Sequence, residues 1–134
     1  MSVRIVQLSD LHLYRNQDSL LAGVPTWTTF RAVLDFVRRQ HDDFDYLILT
    51  GDLAQDEALE TYEKLRVTLG DWVHRCRIIP GNHDDRGNMR AVFPELLPDG
   101  EGPLTFALQC KDWRVIGPKK VSGNPSALLE RGMT

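Results

Sequence analysis

A length of 134 residues and a hydrophobic fraction of 42% suit one compact globular domain and exclude a disordered or fibrous chain. The formal net charge of −3 offers no basic surface for a phosphate backbone, so we expect no nucleic-acid partner. The sequence shows neither a secretory signal nor an apolar stretch of membrane-spanning length, so we expect a cytoplasmic protein with no membrane partner.

Strand and helix patterns alternate along the first part of the chain. Residues 3–9 and 46–50 are dense in apolar β-forming residues, which predicts two strands of a buried parallel sheet. Between them, apolar residues recur at helical spacing over residues 30–37, and threonines within 26–29 offer capping hydroxyls. An amphipathic helix is therefore predicted between the first two strands.

The alternation continues through the middle of the chain. A second helix is predicted after Asp56, a candidate cap, and Gly70 is a candidate stop. Residues 77–80 predict a third strand, and a short helix over residues 86–93 would start from Asp85 as its cap. This order predicts right-handed crossovers and an α/β fold with a mostly parallel sheet flanked by helices.

The last third of the chain has a different pattern. Residues 94–103 contain three prolines and two glycines and are predicted to be a loop, followed by strands over 104–110 and 113–116. The composition changes after Ile116, where prolines and glycines disfavour a further strand. Residues 127–131 are too short for a stable helix unless they pack against another element. We expect a single domain over residues 1–134 with an atypical tail at 117–134.

Three polar motifs follow directly on the predicted strands. They are Asp10-Leu11-His12, Gly51-Asp52 and Gly81-Asn82-His83-Asp84. Each motif by itself is common in surface turns, but the three occur in order at successive strand ends. Since the carboxyl ends of parallel strands meet at one edge of a sheet, we expect these side chains to converge there. Carboxylate, imidazole and amide groups are ligands for divalent metal ions, so the pattern predicts a metal site.

Each polar side chain has an expected role in that site. Asp10 and His12, two residues apart on an extended segment, point to the same side and can bind one ion together. Asp52 can bridge two ions through its two oxygens, and Asn82 can bind the second ion through its amide oxygen. Two divalent ions close together can clamp the attacking and leaving oxygens in the hydrolysis of a phosphate ester. In such a reaction His83 is the candidate catalytic residue, because it can protonate the leaving oxygen or stabilise phosphoryl charge.

The remaining motif residues have structural interpretations. Gly51 and Gly81 permit sharp turns of close approach, where a side chain would block the metals or the substrate. Asp84 either orients the imidazole of His83 or caps the following turn, and the cap is the favoured alternative.

These motifs resemble the signature of the calcineurin-like metallophosphoesterase superfamily, and residues 7–13, 20–24 and 51–56 look like its bacterial 3′,5′-cyclic AMP phosphodiesterase branch. The resemblance covers residues 4–116. It implies a two-layered αββα sandwich, of which this chain would be the N-terminal half. It also implies a centre of two divalent ions (iron, manganese or magnesium) and hydrolysis of a small phosphorylated substrate, a cyclic nucleotide.

The same resemblance assigns Asp10 and His12 to the first ion, Asp52 to the bridge, Asn82 to the second ion and His83 to the leaving group. Family members carry a further lone histidine and a Gly-His-x-His pair, and this sequence contains neither. The resemblance therefore implies at most one well-held ion and a truncated or frame-changed member of the family. Exposed sheet edges would then favour self-association.

Three functions remain open for this sequence. The first is a metal-dependent phosphodiesterase, favoured by the motifs. The second is a non-catalytic remnant that binds metal or serves as an interaction fragment, favoured by the missing histidines. The third is a nuclease or phosphomonoesterase of the same fold, and the acidic composition weighs against the nuclease.

Overall fold

A computed structural model of the protein describes residues 3–81, 83–97, 106–110, 113–117 and 128–131. The strands are β1 (Ile5–Ser9), β2 (Leu20–Leu21), β3 (Val24–Pro25), β4 (Tyr46–Thr50), β5 (Cys76–Ile79), β6 (Phe106–Cys110), β7 (Trp113–Gly117) and β8 (Leu128–Arg131). The helices are α1 (Thr26–Gln40), α2 (Leu59–Leu69) and α3 (Arg86–Val92), with a 3₁₀ helix at Gly70–Arg75 between α2 and β5. No described helix is long and apolar enough to cross a membrane.

The predicted parallel sheet is present and has the order β1-β4-β5. Both pairings are parallel, with Ser9 beside Thr50 and Thr50 beside Ile79 at the carboxyl ends of the three strands. The central strand β4 is buried from its second residue onward, as expected for a parallel strand covered on both faces. The polar segments that follow the three strands therefore leave the sheet at the same edge.

Helix α1 packs on the sheet through an apolar face that includes Trp27, Phe30, Leu34 and Val37. The predicted hydroxyl cap of this helix is wrong, because Pro25 occupies the N-cap position and the helix start has no side-chain cap hydrogen bond among the described residues. The reason is tertiary. Pro25 belongs to the short β2–β3 hairpin, so the chain enters the helix directly from a strand.

Helix α2 begins as the sequence predicts, with one modification. Its N-cap residue is Ala58, and the Asp56 carboxylate acts from two residues upstream. Asp56 Oδ1 accepts hydrogen bonds from the Ala58 backbone N–H (3.2 Å) and from Thr61 Oγ1 (2.7 Å). Gly70 ends the α-helix with a φ of +56°, and the chain continues into the 3₁₀ helix. For α3, the predicted cap is confirmed, because Asp85 accepts a hydrogen bond from the Asn88 N–H (2.9 Å).

A second sheet contains β6, β7 and β8, all paired antiparallel in that order. The first two strands were predicted, whereas β8 lies within the tail for which no strand was expected. Its four residues pair with β7, from Ile116 beside Leu128 to Trp113 beside Arg131. A four-residue segment shows no clear periodicity, and its strand conformation is decided by the neighbouring edge rather than by local sequence.

Candidate metal centre

Several residues at the carboxyl edge of the parallel sheet have left-handed backbone conformations. Asp10 and His12 after β1 have φ values of +56° and +48°, and Gly51 and Asp52 after β4 have values of +72° and +32°. For residues other than glycine this conformation costs on the order of 1–2 kcal/mol, and such residues concentrate at functional sites. The chain therefore turns abruptly just where its polar motifs lie.

The loops after β1 and β4 are held together by their backbones. Four hydrogen bonds join them: Asp10 N–H to Thr50 O (3.1 Å), His12 N–H to Asp52 O (2.8 Å), Leu13 N–H to Leu53 O (2.9 Å) and Gln55 N–H to Leu13 O (2.8 Å). Leu13 and Leu53 are completely buried and anchor both loops in the core. The parallel pairing of the sheet thus continues past the strand ends and fixes the spacing of the two motifs.

This arrangement brings together three of the four predicted metal ligands. Asp10, His12 and Asp52 each offer one ligand atom, and these atoms all lie within 4.8 Å of one another. Asp10 is exposed and the other two are half-buried, so the cluster faces solvent. Two carboxylates and an imidazole suit a divalent ion such as manganese, iron or zinc. The chemistry of the donors therefore fits the metal that the sequence predicts.

The close packing around Asp52 depends on a glycine of the neighbouring loop. A Cβ atom on Gly81 would lie 2.0 Å from the Asp52 backbone nitrogen and 2.3 Å from its Oδ1. A Cβ atom on Gly51 would lie 3.1 Å from Asp10 Oδ1, on a backbone whose φ already favours glycine. Both glycines leave room for the neighbouring carboxylates, and the prediction that they also leave room for metals or substrate stays a prediction.

The loop after β5 supplies a backbone donor to the cluster. The His83 N–H donates a hydrogen bond to Asp52 Oδ1 at 2.8 Å, which places His83 next to the candidate ligands. The residue is exposed, so a substrate in solution would reach it. Asn82 lies outside the described residues, and its role as a ligand stays a prediction.

Asp84 has a role that the sequence did not reveal. Its carboxylate is buried and accepts four hydrogen bonds: from the N–H groups of Gly81 (2.7 Å), Ala54 (2.9 Å) and Leu53 (3.0 Å), and from the Tyr62 hydroxyl (2.8 Å). It therefore closes the turn that precedes it, while the following helix is capped by Asp85. Asp84 joins the loop after β5 to the loop after β4 and to α2.

Tyr62 completes this connection. Its hydroxyl donates to Asp84 Oδ1 and accepts a hydrogen bond from the Asp85 N–H at 2.9 Å. Burial, followed by the charge of the Asp84 carboxylate, raises the pKa of Tyr62 well above its ordinary value. The phenol therefore stays protonated at neutral pH and remains a donor to Asp84.

A cavity of about 450 Å³ opens beside the cluster, between β1, α1 and the β2–β3 hairpin. Asp10 and His12 line it, and apolar residues such as Leu21, Phe30 and Val33 form much of the remaining wall. The hairpin turns at Ala22-Gly23, both with positive φ, as a two-residue turn of type I′ requires. The polar cluster therefore has an apolar recess on its β1 side.

A carboxylate–imidazole cluster at the carboxyl edge of a parallel sheet makes this an α/β protein with a candidate site for a divalent cation. Residues 3–126 match the calcineurin-like phosphoesterase family, and the chain belongs to that family. The resemblance inferred from the three motifs is thereby confirmed, together with the α/β fold of the N-terminal half of such a domain.

Several curated proteins are similar to this chain. A 3′,5′-cyclic adenosine monophosphate phosphodiesterase, CpdA, of Vibrio vulnificus is 36% identical over 96% of the chain and 46% of its own length. The CpdA of Escherichia coli is 32% identical over 85% of the chain and 40% of its own length. A probable cyclic nucleotide phosphodiesterase of Synechococcus is 33% identical over 92% of the chain and 48% of its own length. The matches thus cover between 40% and 48% of the length of these three relatives.

Proposed function

We propose that this chain carries the first metal-binding half of a phosphodiesterase that hydrolyses a cyclic nucleotide. The observation that supports this most strongly is the approach of the Asp10, His12 and Asp52 ligand atoms to within 4.8 Å at the edge of the parallel sheet. Family membership supports phosphoester hydrolysis, and the names of the relatives support a cyclic nucleotide as the substrate.

The proposed chemistry assigns a task to each side chain. Asp10, His12 and Asp52 would hold a divalent ion, and the bound ion would supply Lewis-acid chemistry by neutralising phosphoryl charge and lowering the pKa of a water molecule. The His83 N–H keeps the Asp52 carboxylate in place through its 2.8 Å hydrogen bond. The His83 imidazole donates a proton to the leaving oxygen or stabilises the phosphoryl charge, and Asn82 is the proposed ligand of a second ion.

We propose that this chain by itself holds one ion well. Within the described residues, three side chains form the candidate cluster, and each offers one ligand atom. Equilibrium dialysis against Mn²⁺ tests the stoichiometry, with one tightly bound ion per chain as the expected result. Two equally tight ions would contradict it.

Activity is tested by hydrolysis of 3′,5′-cyclic AMP with added Mn²⁺. The chain is compared with Asp52→Asn, which keeps the size of the side chain and removes its charge, and with Asp71→Asn at an exposed position of the 3₁₀ helix. We expect turnover in the chain and in the Asp71 variant, and none in the Asp52 variant. Equal background in all three would reject catalysis by this polypeptide.

The second candidate function is a non-catalytic metal-binding or interaction remnant. It is favoured by the small ligand set among the described residues, since a single ion bound by three side chains would not supply the two-ion clamp on the attacking and leaving oxygens. Mn²⁺ binding that depends on Asp52, without hydrolysis of the cyclic nucleotide, is the result that this function predicts. The same assays with p-nitrophenyl phosphate and with DNA at low salt test the phosphomonoesterase and nuclease alternatives.

We also propose that the chain self-associates through the outer edge of β1. Within the described sheet, β1 pairs with β4 on one side only, which leaves the backbone groups of its other side without a strand partner. Such an edge is a template for pairing with another strand. Sedimentation velocity at increasing protein concentration is expected to show dimers or larger species, and a monomer at all concentrations would contradict the proposal.

A further inference from the structure

The imidazole of His12 can bind a metal through either ring nitrogen, and the position of its proton decides which one. A nitrogen that carries a proton is a donor and cannot bind a cation, whereas the other nitrogen keeps its lone pair free. In this protein His12 Nδ1 lies 2.7 Å from the side-chain oxygen Oε1 of Gln55. Because an amide oxygen only accepts hydrogen bonds, this contact is satisfied when Nδ1 is the protonated nitrogen.

Gln55 is held in position from both sides of its own backbone. Its N–H donates to Leu13 O at 2.8 Å, which fixes it opposite the His12 loop. The preceding residue, Ala54, is completely buried and donates its N–H to Asp84 at 2.9 Å. The following residue, Asp56, accepts the Arg15 N–H at 2.7 Å. The half-buried Gln55 side chain therefore starts from a backbone with little freedom to move away from His12.

We propose that Gln55 is a positioning residue that holds His12 in the tautomer with a proton on Nδ1, so that Nε2 is the nitrogen left to bind the metal. Groups that accept the second ring proton of a metal-binding histidine orient the ring and make it a stronger ligand. Gln55 thus acts on the proposed metal site through His12 without contacting the ion. The inference rests on the proposed metal-binding function for its consequence, although the tautomer itself exists without metal.

The tautomer is measured by two-bond nitrogen–proton NMR correlation in the metal-free chain, at a pH at which the imidazoles are neutral. The chain has four histidines, and a His12→Asn variant identifies the His12 signals. We expect Nδ1–H in the wild-type chain and a loss of that preference in Gln55→Met, which keeps the length of the side chain and removes the acceptor. Gln40→Met, at the exposed end of α1, is the matched control and should leave the tautomer unchanged.

Metal affinity is then measured by titration calorimetry with Mn²⁺ alone. Loss of a partner of this kind typically weakens metal binding by about 10- to 100-fold, and we expect Gln55→Met to fall in that range. Gln55→Glu should restore both the tautomer and the affinity, because its carboxylate accepts the same proton. If Gln55 acted only on folding, Gln55→Met and Gln55→Glu would both lower the thermal stability. Glutamate would then not restore the His12 tautomer and the Mn²⁺ affinity.

The outcomes separate this inference from the proposed function. A wild-type chain with Nε2–H, or a Gln55→Met variant with unchanged Nδ1–H and unchanged affinity, would overturn the role of Gln55 while metal binding still depended on Asp52. A wild-type chain that binds no Mn²⁺ would overturn the proposed function. If the His12 tautomer still depended on Gln55 in that chain, the effect of Gln55 on His12 would be supported all the same.

Discussion

The two sides of the candidate metal centre are supported in different ways. Asp52 lies between loops that are tied by buried groups, because Asp84 binds the neighbouring amides and Gly81 packs directly against the Asp52 backbone. Asp10 is exposed, and it borders the cavity between β1, α1 and the β2–β3 hairpin. The difference indicates that buried polar groups and close packing hold Asp52, whereas Asp10 and His12 are held by backbone hydrogen bonds, the buried Leu13 and the Gln55–His12 contact.

Gly81→Ala should lower the stability of the protein most, because it forces atoms apart on the Asp52 side of the candidate site. The added Cβ would stand 2.0 Å from a backbone nitrogen that cannot rotate away. We expect the free energy of unfolding to fall by more than about 3 kcal/mol and Mn²⁺ binding to be lost. Gly23→Ala is the control, since its Cβ would meet open space and only its φ of +82° is strained, at about 1 kcal/mol. Urea denaturation of both variants gives the comparison, and equal losses would contradict the packing argument.

Asp84→Asn should cause the second-largest loss of stability. The substitution replaces one acceptor oxygen by a donor amide among four donors, so at least one buried N–H or hydroxyl loses its partner. We expect a loss of about 2–3 kcal/mol of stability. Asp85→Asn is the matched control, because asparagine also caps helices. Its free energy of unfolding should change by only about 0.5 kcal/mol or less, as for a surface substitution. Similar losses in the two variants would show that Asp84 does not join the loops.

Tyr62→Phe should have an intermediate effect of about 1 kcal/mol, because it removes one hydroxyl that bonds Asp84 and Asp85. The variant also changes the pH dependence. The folded-state pKa of Tyr62 is raised, so its contribution to stability is complete below the ordinary pKa of about 10 and is lost as the pH rises above it. Urea unfolding at increasing alkaline pH should therefore show a shallower decline in Tyr62→Phe than in the wild type.

The buried thiol of Cys76 contributes to the same alkaline decline. Burial raises the pKa of Cys76 to about 12 from an ordinary value of 9.0, so the unfolded chain releases this proton first. The stability it contributes is complete below pH 9.0 and is lost as the pH rises towards about 12. Cys76→Ala should be less stable at neutral pH, because it leaves a cavity, and its stability should fall less steeply over that interval. An unchanged slope would contradict the assignment.

Asp10→Asn should have the smallest effect on stability, because the side chain is exposed to solvent. We expect a change within about 0.5 kcal/mol of the wild type. Metal binding should nevertheless fall, since one of the three clustered ligands loses its charge. Thermal unfolding with and without Mn²⁺ should show a metal-dependent rise in Tm in the wild type and little rise in the variant. A stability loss as large as that of Asp84→Asn would refute the contrast between the two sides.

Many of the strands and helices could be predicted because they depend on local sequence patterns. The apolar density of residues 46–50 and the helical spacing over residues 30–37 are visible in the sequence, and both elements form as expected. The convergence of Asp10 and Asp52 follows from parallel strands ending at a common edge.

Other features depend on partners that no local pattern identifies. The helix α1 begins at a hairpin proline rather than at a threonine cap, and β8 exists because a neighbouring strand pairs with it. The sequence offers Gln55 only as the third residue after Asp52, with no sign that it contacts His12.

The order of residues by itself determined the α/β pattern and the positions of the candidate metal-binding motifs, because short-range periodicity and strand ends are encoded locally. Only the tertiary structure decided how those candidate ligands are supported. Asp84 is distant in sequence from the amides of Leu53 and Ala54, and a buried carboxylate takes the donors that surround it in space. The sequence shows which polar groups are available, and the packing of the loops decides which of them form hydrogen bonds with one another.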